Sequence, residues 1–192
     1  MYHRYLQGLR PAAAYALRAL ACVALILAVG AQAAGDEGYA DEGRDWGIAP
    51  THRLRQQPYH GPTPLQIPGA QVLQTRQLQQ MLAGPGAPLL IDVLSEPGHL
   101  TLAGALWLSG AGLGTNFLDP VQAVLTQVLA RLSGGDKARP MVFFCAGPQC
   151  WLSYNAALRA VAAGYTRVYW YRGGVEAWVA AGLPSARTTG AR

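Results

Sequence analysis

Two short runs restrict the fold of this chain more than anything else in it. Pro88-Leu89-Leu90-Ile91-Asp92-Val93 is apolar up to its acid, and Met141-Val142-Phe143-Phe144-Cys145 is apolar throughout. Neither is long enough for a buried helix, and neither alternates in a way that would leave one face wet. Each therefore reads as a strand buried on both faces, which is the habit of parallel sheets. The segments around them carry the required helices. A strand over 71–74 precedes a helix from Thr75, taken as its N-cap, to Leu82, with a stop at Gly84. Gly104 to Leu108 offers another strand. Asp119-Pro120 is a cap followed by proline in the first turn, opening a helix to about Leu132 that ends at Gly134-Gly135. A helix from Trp151 to Ala163, a strand over Arg167–Tyr171 and a last helix over Val175–Ala181 complete the series. The alternation predicts a single α/β domain over 70–184, with a central parallel sheet and helices on both faces. Residues 185–192 are expected to be a C-terminal tail.

The chain has 192 residues, enough for one such domain with appendages. Its 15 Lys and Arg against 10 Asp and Glu give a net charge of +5, which could suggest a nucleic-acid partner. Three of those cations, Arg4, Arg10 and Arg18, lie in the first 34 residues, where there is no acid; the remainder carries 12 against 10. With one lysine and no basic run, nucleic-acid binding is not expected.

The N-terminus accounts for that asymmetry. Scattered arginines precede the apolar stretch Ala19–Val29, which ends in Gly30-Ala31-Gln32-Ala33-Ala34, a small-x-small pattern. This order predicts a signal peptide over 1–34, cleaved near Ala33 or Ala34, and export to the periplasm. The apolar core falls short of the roughly 18–20 residues of a membrane span, so no stable membrane insertion is expected after cleavage. Residues 35–69 then read as an extended arm. Five acids between Asp36 and Asp45 are followed by prolines at 50, 58, 62, 64 and 68, which block helix and central strand. The arm is expected to hug the surface, as a solvated linker or as a docking arm for a partner.

Export gives the cysteines their meaning. Cys22 leaves with the signal peptide, so Cys145 and Cys150 remain in an oxidising compartment. Cys145 ends a strand, a short turn follows, and a helix begins at Trp151. Backbone N–H groups of such a turn, with the helix dipole, favour an anion and would activate a thiolate. Cys145 is thus the candidate nucleophile and Cys150 a resolving thiol on the same loop. A disulfide closing so short a loop adds only about 2 kcal/mol by chain entropy, so a purely structural role is weak. Candidate substrate-binding residues are Ala146, Gly147, Pro148 and Gln149 of the loop, Trp151 at the helix start, and Arg172 just past the last strand. Asp92 either orients the loop or merely ends its strand, and His99 either lines the pocket or caps backbone. Trp151, Tyr154, Trp170 and Tyr171 form either core or an aromatic rim. Asn155 is expected to satisfy loop backbone. Two thiolates could hold Cu(I), but no paired His or Met lies nearby, so no metal is assigned. The chain has no dinucleotide, Walker or haem-attachment motif, and no cofactor of its own is implied.

This pattern resembles the rhodanese-like (sulfurtransferase) homology domain. Val142-Phe143-Phe144-Cys145, the loop to Cys150, the following helix, Gly164-Tyr165, Val168-Tyr169 and Gly173-Gly174-Val175-Glu176-Ala177-Trp178 are similar in order to its active-site half. Leu90-Ile91-Asp92-Val93, Gly98-His99 and Gly104-Ala105 resemble its early strand and Gly-His segment. Cys150-Trp151, the strand Val168–Tyr171 and the Tyr59…Pro62-Thr63-Pro64 arm resemble an exported subgroup known by a CXXCW motif and by gene neighbourhoods of pyrroloquinoline-quinone (PQQ)-dependent catabolism. The resemblance implies a persulfide-forming Cys145 acting on a sulfur or thiol substrate. It also implies a periplasmic role beside quinoprotein alcohol or amine oxidation, and a quinoprotein dehydrogenase or a c-type cytochrome is the partner expected if the domain is a binding module. The loop departs from the family where arginines usually hold anionic thiosulfate: those positions are Ala146 and Cys150 here, and Pro148 removes a backbone donor. Thiosulfate:cyanide sulfurtransferase activity is therefore expected to be poor. Two functional classes follow: a thiol enzyme using Cys145 and Cys150, or a catalytically silent binding module that recruits a partner through its aromatics and arm.

Overall fold

The two apolar runs become adjacent strands in the middle of a parallel sheet. The structure, a computed structural model, describes residues 38–188; the expected signal peptide lies outside them. In chain order the elements are β1 (Gln71–Leu73), α1 (Thr75–Ala83), β2 (Leu89–Asp92), β3 (Leu100–Leu102), β4 (Leu106–Trp107), α2 (Pro120–Ser133), β5 (Met141–Phe144), α3 (Trp151–Ala162), β6 (Val168–Tyr171), α4 (Gly174–Ala180) and β7 (Ser185–Arg187). The sheet runs β1-β6-β5-β2-β4, and each pairing in it is parallel.

The two-residue period of β5 divides the core. Met141, Phe143 and Cys145 pack on one face with Leu125 and Leu129 of α2 and Leu152 and Ala156 of α3. Val142 and Phe144 pack on the other with Leu78 of α1 and Val175 and Trp178 of α4. Burying each large side chain contributes about 1.5–3 kcal/mol, so both faces are anchored. This is the single α/β domain that the alternation predicted.

Register then locates the site. Ile91 is level with Phe143, and Asp92 with Phe144. From the end of β2 the chain moves outward to β4; from the end of β5 it moves the other way to β6. Where neighbouring strands lead in opposite directions, the connections leave a crevice at their carboxyl ends, and open α/β sheets bind ligands there. Asp92 and Cys145 both stand at it.

The caps are partly as expected. Asp119 Oδ1 accepts the Gln122 N–H at 2.9 Å, with Pro120 in the first turn, and Gly134 closes α2 in the left-handed region (φ 64°). Thr75 does not cap α1. Gln74 holds that position, its N–H donating to Gln77 Oε1 at 2.9 Å. Thr75 instead gives both its N–H and its hydroxyl to Glu42 Oε2, each at 2.8 Å. Two further expectations need correction. Residues 185–187 are not tail but β7, antiparallel to β3. Residues 38–69 are not a solvated linker: Leu54 and Ile67 join the core, and Glu42 and Thr63 are buried.

Candidate active site

Cys145 and Cys150 are joined by a disulfide (S–S 2.12 Å, Cα–Cα 6.3 Å). Cys145 is held at the end of β5, and Cys150 sits at the N-cap position of α3. The loop between them is fastened from two sides. On the α4 side, Val175 N–H donates to the Cys145 carbonyl at 3.0 Å and Glu176 N–H to the Ala146 carbonyl at 2.8 Å. Gly174 makes this approach possible. Its φ is +57°, and a Cβ there would lie 2.3 Å from the Cys145 carbonyl oxygen.

The arm fastens the other side. His60 forms an antiparallel bridge with Cys150. Gly61 N–H donates to the Gln149 carbonyl and Trp151 N–H to the Tyr59 carbonyl, both at 2.9 Å. The Trp151 indole N–H reaches the Pro62 carbonyl at 3.1 Å, and the Thr63 hydroxyl the Pro148 carbonyl at 2.6 Å. Further along, Tyr154 Oη donates to the Thr51 carbonyl (2.8 Å) and accepts the Thr51 N–H (2.9 Å). Burial raises the Tyr154 phenol above its ordinary pKa, against a smaller lowering by Thr51, so it keeps its proton as donor. Asn155 pairs with both backbone groups of Arg55 and donates to the Gly112 carbonyl at 2.9 Å, satisfying loop backbone as expected. Under this cover Cys145 is only 1% exposed and Cys150 8%.

Arg172 lies near the loop but does not offer it a cation. It is 1% exposed, and its five N–H groups all have acceptors. Nε donates to Thr63 Oγ1, Nη1 to the Asp41 and Glu42 carbonyls, and Nη2 to the Arg44 and Thr63 carbonyls. Its contact with the site runs through Thr63 to the Pro148 carbonyl. The expectation of a substrate-holding or solvated arginine gives way to an arm clamp, with Trp46 stacked 4.7 Å from the guanidinium carbon. Burial lowers the Arg172 pKa, while Asp45, Asp41 and Glu42 oppose that shift.

Of the other loop candidates, Gly147 and Pro148 are buried, Ala146 is half-buried and Gln149 is exposed. No charged side chain belongs to the loop itself. Asp92 ends its strand: Oδ1 accepts the Leu94 N–H at 2.9 Å, and Oδ2 lies 2.7 Å from His99 Nε2. His99 Nδ1 faces the Glu96 carbonyl, so the ring braces the turn after β2. Trp151, Tyr154, Trp170 and Tyr171 are all buried, which makes them core and leaves no aromatic rim among them. An apolar cavity of about 250 Å³ lies away from the cysteines, between Leu108–Ala111 and Pro120, Val124 and Val128 of α2.

Ser153 and Arg159 are buried polar side chains that were not singled out in the sequence. Ser153, in the first turn of α3, has its Oγ 3.1 Å from Cys145 Sγ and accepts the Trp170 indole N–H at 3.0 Å. Arg159 pairs with Asp119 at 2.8 Å and ties α3 to α2. A serine three residues after a helix-capping cysteine was the available signal for the first. Among the described residues no group of three or more His, Cys, Asp or Glu could hold a metal, and no helix is long and apolar enough to cross a membrane.

Among solved structures, thiosulfate sulfurtransferase from Pseudomonas aeruginosa is 20% identical, with TM-score 0.49, over 64% of this chain and 21% of that chain. The polysulfide-sulfur transferase homodimer from Wolinella succinogenes is 21% identical, with TM-score 0.45, over 62% and 79%. A full-length protein from Lactobacillus plantarum is 21% identical, with TM-score 0.42, over 57% and 81%. No curated protein matches the chain. The family model described as the Rhodanese-like domain matches residues 74–181, more than half of the chain, and takes in the strand, cysteine loop and helix described above. The protein belongs to the rhodanese-like domain family.

Proposed function

We propose that the Cys145–Cys150 loop carries out thiol–disulfide redox or sulfur-transfer chemistry, with Cys145 as nucleophile and Cys150 as resolving thiol. The carrying observation is that the two cysteines bond to each other on a loop without a charged side chain of its own. Such a loop is poorly equipped to hold an anionic donor such as thiosulfate. It is well equipped to resolve what forms on Cys145. A persulfide there is attacked by the Cys150 thiolate at the inner sulfur; the disulfide forms and hydrosulfide leaves with the proton. The same pair exchanges electrons with an external dithiol. The N-terminal pattern supports export, so the working place is the periplasm, where a disulfide persists. The resemblance to the CXXCW subgroup supports a setting of PQQ-dependent alcohol or amine oxidation.

Cys150→Ser tests the assignment. The variant is expected to keep its fold by circular dichroism and to lose reversible oxidation in a redox titration. After exposure to a sulfur donor it should retain a persulfide on Cys145 that the unaltered protein discharges. An unchanged redox titration would remove Cys150 from the mechanism.

The burial of both sulfurs beneath the arm favours a second reading, a silent binding module that recruits a quinoprotein dehydrogenase or c-type cytochrome. Pull-down of such a partner with both cysteines substituted separates the two. Retained binding supports the module; lost binding supports the thiol chemistry.

A further inference from the structure

Ser153 has a hydrogen-bond arrangement that a merely structural disulfide does not require. It is 1% exposed, and its Oγ stands 3.1 Å from Cys145 Sγ. The Trp170 indole N–H, which can only donate, occupies one of its lone pairs at 3.0 Å. The single hydroxyl proton must therefore point elsewhere. With the disulfide closed it reaches the Cys150 carbonyl at 3.3 Å. When the S–S bond opens and charge collects on Cys145, that sulfur becomes the stronger acceptor within reach. A hydrogen bond to an ion is roughly twice as strong as one between neutral groups.

We propose that Ser153 is a catalytic residue that holds Cys145 as a thiolate, an inference that rests on the loop's being a thiol–disulfide site. Cys145 is then the sulfur that leaves when the disulfide is reduced and the sulfur that attacks when it re-forms. In exchange with a dithiol, Cys150, the more exposed of the two, is the one an external thiol reaches, so in this reaction Cys145 does for Cys150 the resolving that Cys150 does for a persulfide on Cys145. In reduction by a dithiol, one donor thiolate attacks Cys150 Sγ and forms a mixed disulfide. The Cys145–Cys150 bond breaks, and its electron pair goes to Cys145 Sγ, where the Ser153 hydroxyl bonds it. The donor's second thiolate attacks its own partner sulfur and releases Cys150, which takes up a proton. The dithiol ends as a cyclic disulfide, two electrons have passed to the protein, and the proton that Cys145 does not keep goes to solvent. A leaving thiol of lower pKa departs faster, which is the advantage Ser153 confers.

Other titratable groups also surround the loop. Asp92 and His99 stand at the end of β2, Glu176 of α4 lies against Gly147, His60 of the arm pairs with Cys150, and Tyr154 shares α3. Arg172 reaches the Pro148 carbonyl through Thr63. All are retained in the variants below, so differences between variants isolate the hydroxyl.

The test uses the full chain carrying Cys22→Ser and Cys150→Ala, so that Cys145 is the only thiol, titrated by thiolate ultraviolet absorbance. Adding Ser153→Ala should raise the Cys145 pKa by about one unit, making it roughly a tenfold weaker acid. Trp170→Phe keeps a ring but removes the N–H that orients the serine; it should shift the pKa in the same direction by less, and carries the test if Ser153→Ala does not fold. In the chain with both loop cysteines, equilibrated with dithiothreitol well above both pKa values, Ser153→Ala should be about tenfold harder to reduce, or about 30 mV more negative. Below the unaltered thiol's pKa this difference should vanish, which a simple packing defect would not produce. Unchanged Cys145 titration in folded variants would overturn the role of Ser153. A disulfide in the unaltered protein that does not exchange with dithiol would instead overturn the redox reading, while the single-thiol titration still decides the serine.

Discussion

Arg159 and Arg172 are both fully buried, and the chain neutralises them in different ways. Arg172 is surrounded by carbonyl dipoles and one hydroxyl, whereas Arg159 has a full counter-charge in Asp119 at 2.8 Å. Desolvation pushes the Asp119 carboxyl up, but hydrogen bonds from Arg159 and from the Gln122 and Thr115 N–H groups outweigh it, and the net pKa lies well below the usual carboxylate range. A depressed carboxyl stabilises the fold above its unfolded-state pKa, and that stability is lost as pH falls towards the folded value. Asp119→Asn should therefore cost about 3 kcal/mol near neutral pH by denaturant unfolding, because Arg159 is left buried without its partner. The cost should shrink as the medium becomes acidic, and an equal cost at every pH would contradict this account. The cap half of Asp119 was legible, since Asp-Pro before an apolar run is a local signal. The ion-pair half was not, because Arg159 lies 40 residues further on. Ser153 was hidden for a similar reason: its roles come from Trp170 on another strand and from a sulfur across a loop.

At the scale of elements, the strands and helices of the sheet were readable because each has its own apolar run and its own Gly or Pro stop. The elements that were not readable depend on distant partners. Leu100–Leu102 and Ser185–Arg187 are three-residue strands that exist only by pairing with each other. The arm has no periodicity at all, and its order comes from two isolated core side chains, Leu54 and Ile67, and from polar contacts: Glu42 on Thr75, Thr51 on Tyr154, Arg55 on Asn155 and the carbonyls around Arg172. Arg172→Leu should therefore loosen the arm without unmaking the sheet. The expected outcome is faster amide hydrogen exchange over residues 41–63 and about tenfold faster disulfide reduction, equivalent to about 1.4 kcal/mol off the local opening free energy. Exchange rates unchanged from the parent would show that the clamp does not hold the arm. Gly174→Ala addresses the other side of the loop. With a positive φ and no room for a Cβ, it should destabilise the fold by about 2 kcal/mol in thermal unfolding, whereas a neutral result would mean that α4 can draw back from the Cys145 carbonyl.

For the whole molecule, the topology decides where chemistry can occur and the loop decides what kind. The switch between β2 and β5 opens a crevice, and β5 delivers Cys145 to it. That much followed from the order of apolar runs and was legible. What the crevice holds was only half legible: the cysteine pair stood out, but its cover by the arm and the use of Arg172 as a clamp did not. The account therefore rests on one chemical property, a reversible bond between two buried sulfurs. The most direct measurement is the intact mass of the protein as isolated, repeated after reductant and after a sulfur donor, with peptide mapping. The account predicts a mass short of two hydrogens that reductant restores, with the Cys145 and Cys150 peptides cross-linked; once the pair is reduced, a sulfur donor should regenerate that cross-linked form and release hydrosulfide, and the added sulfur should persist on Cys145 only in Cys150→Ser. Two free thiols that neither oxidise nor accept sulfur would contradict it.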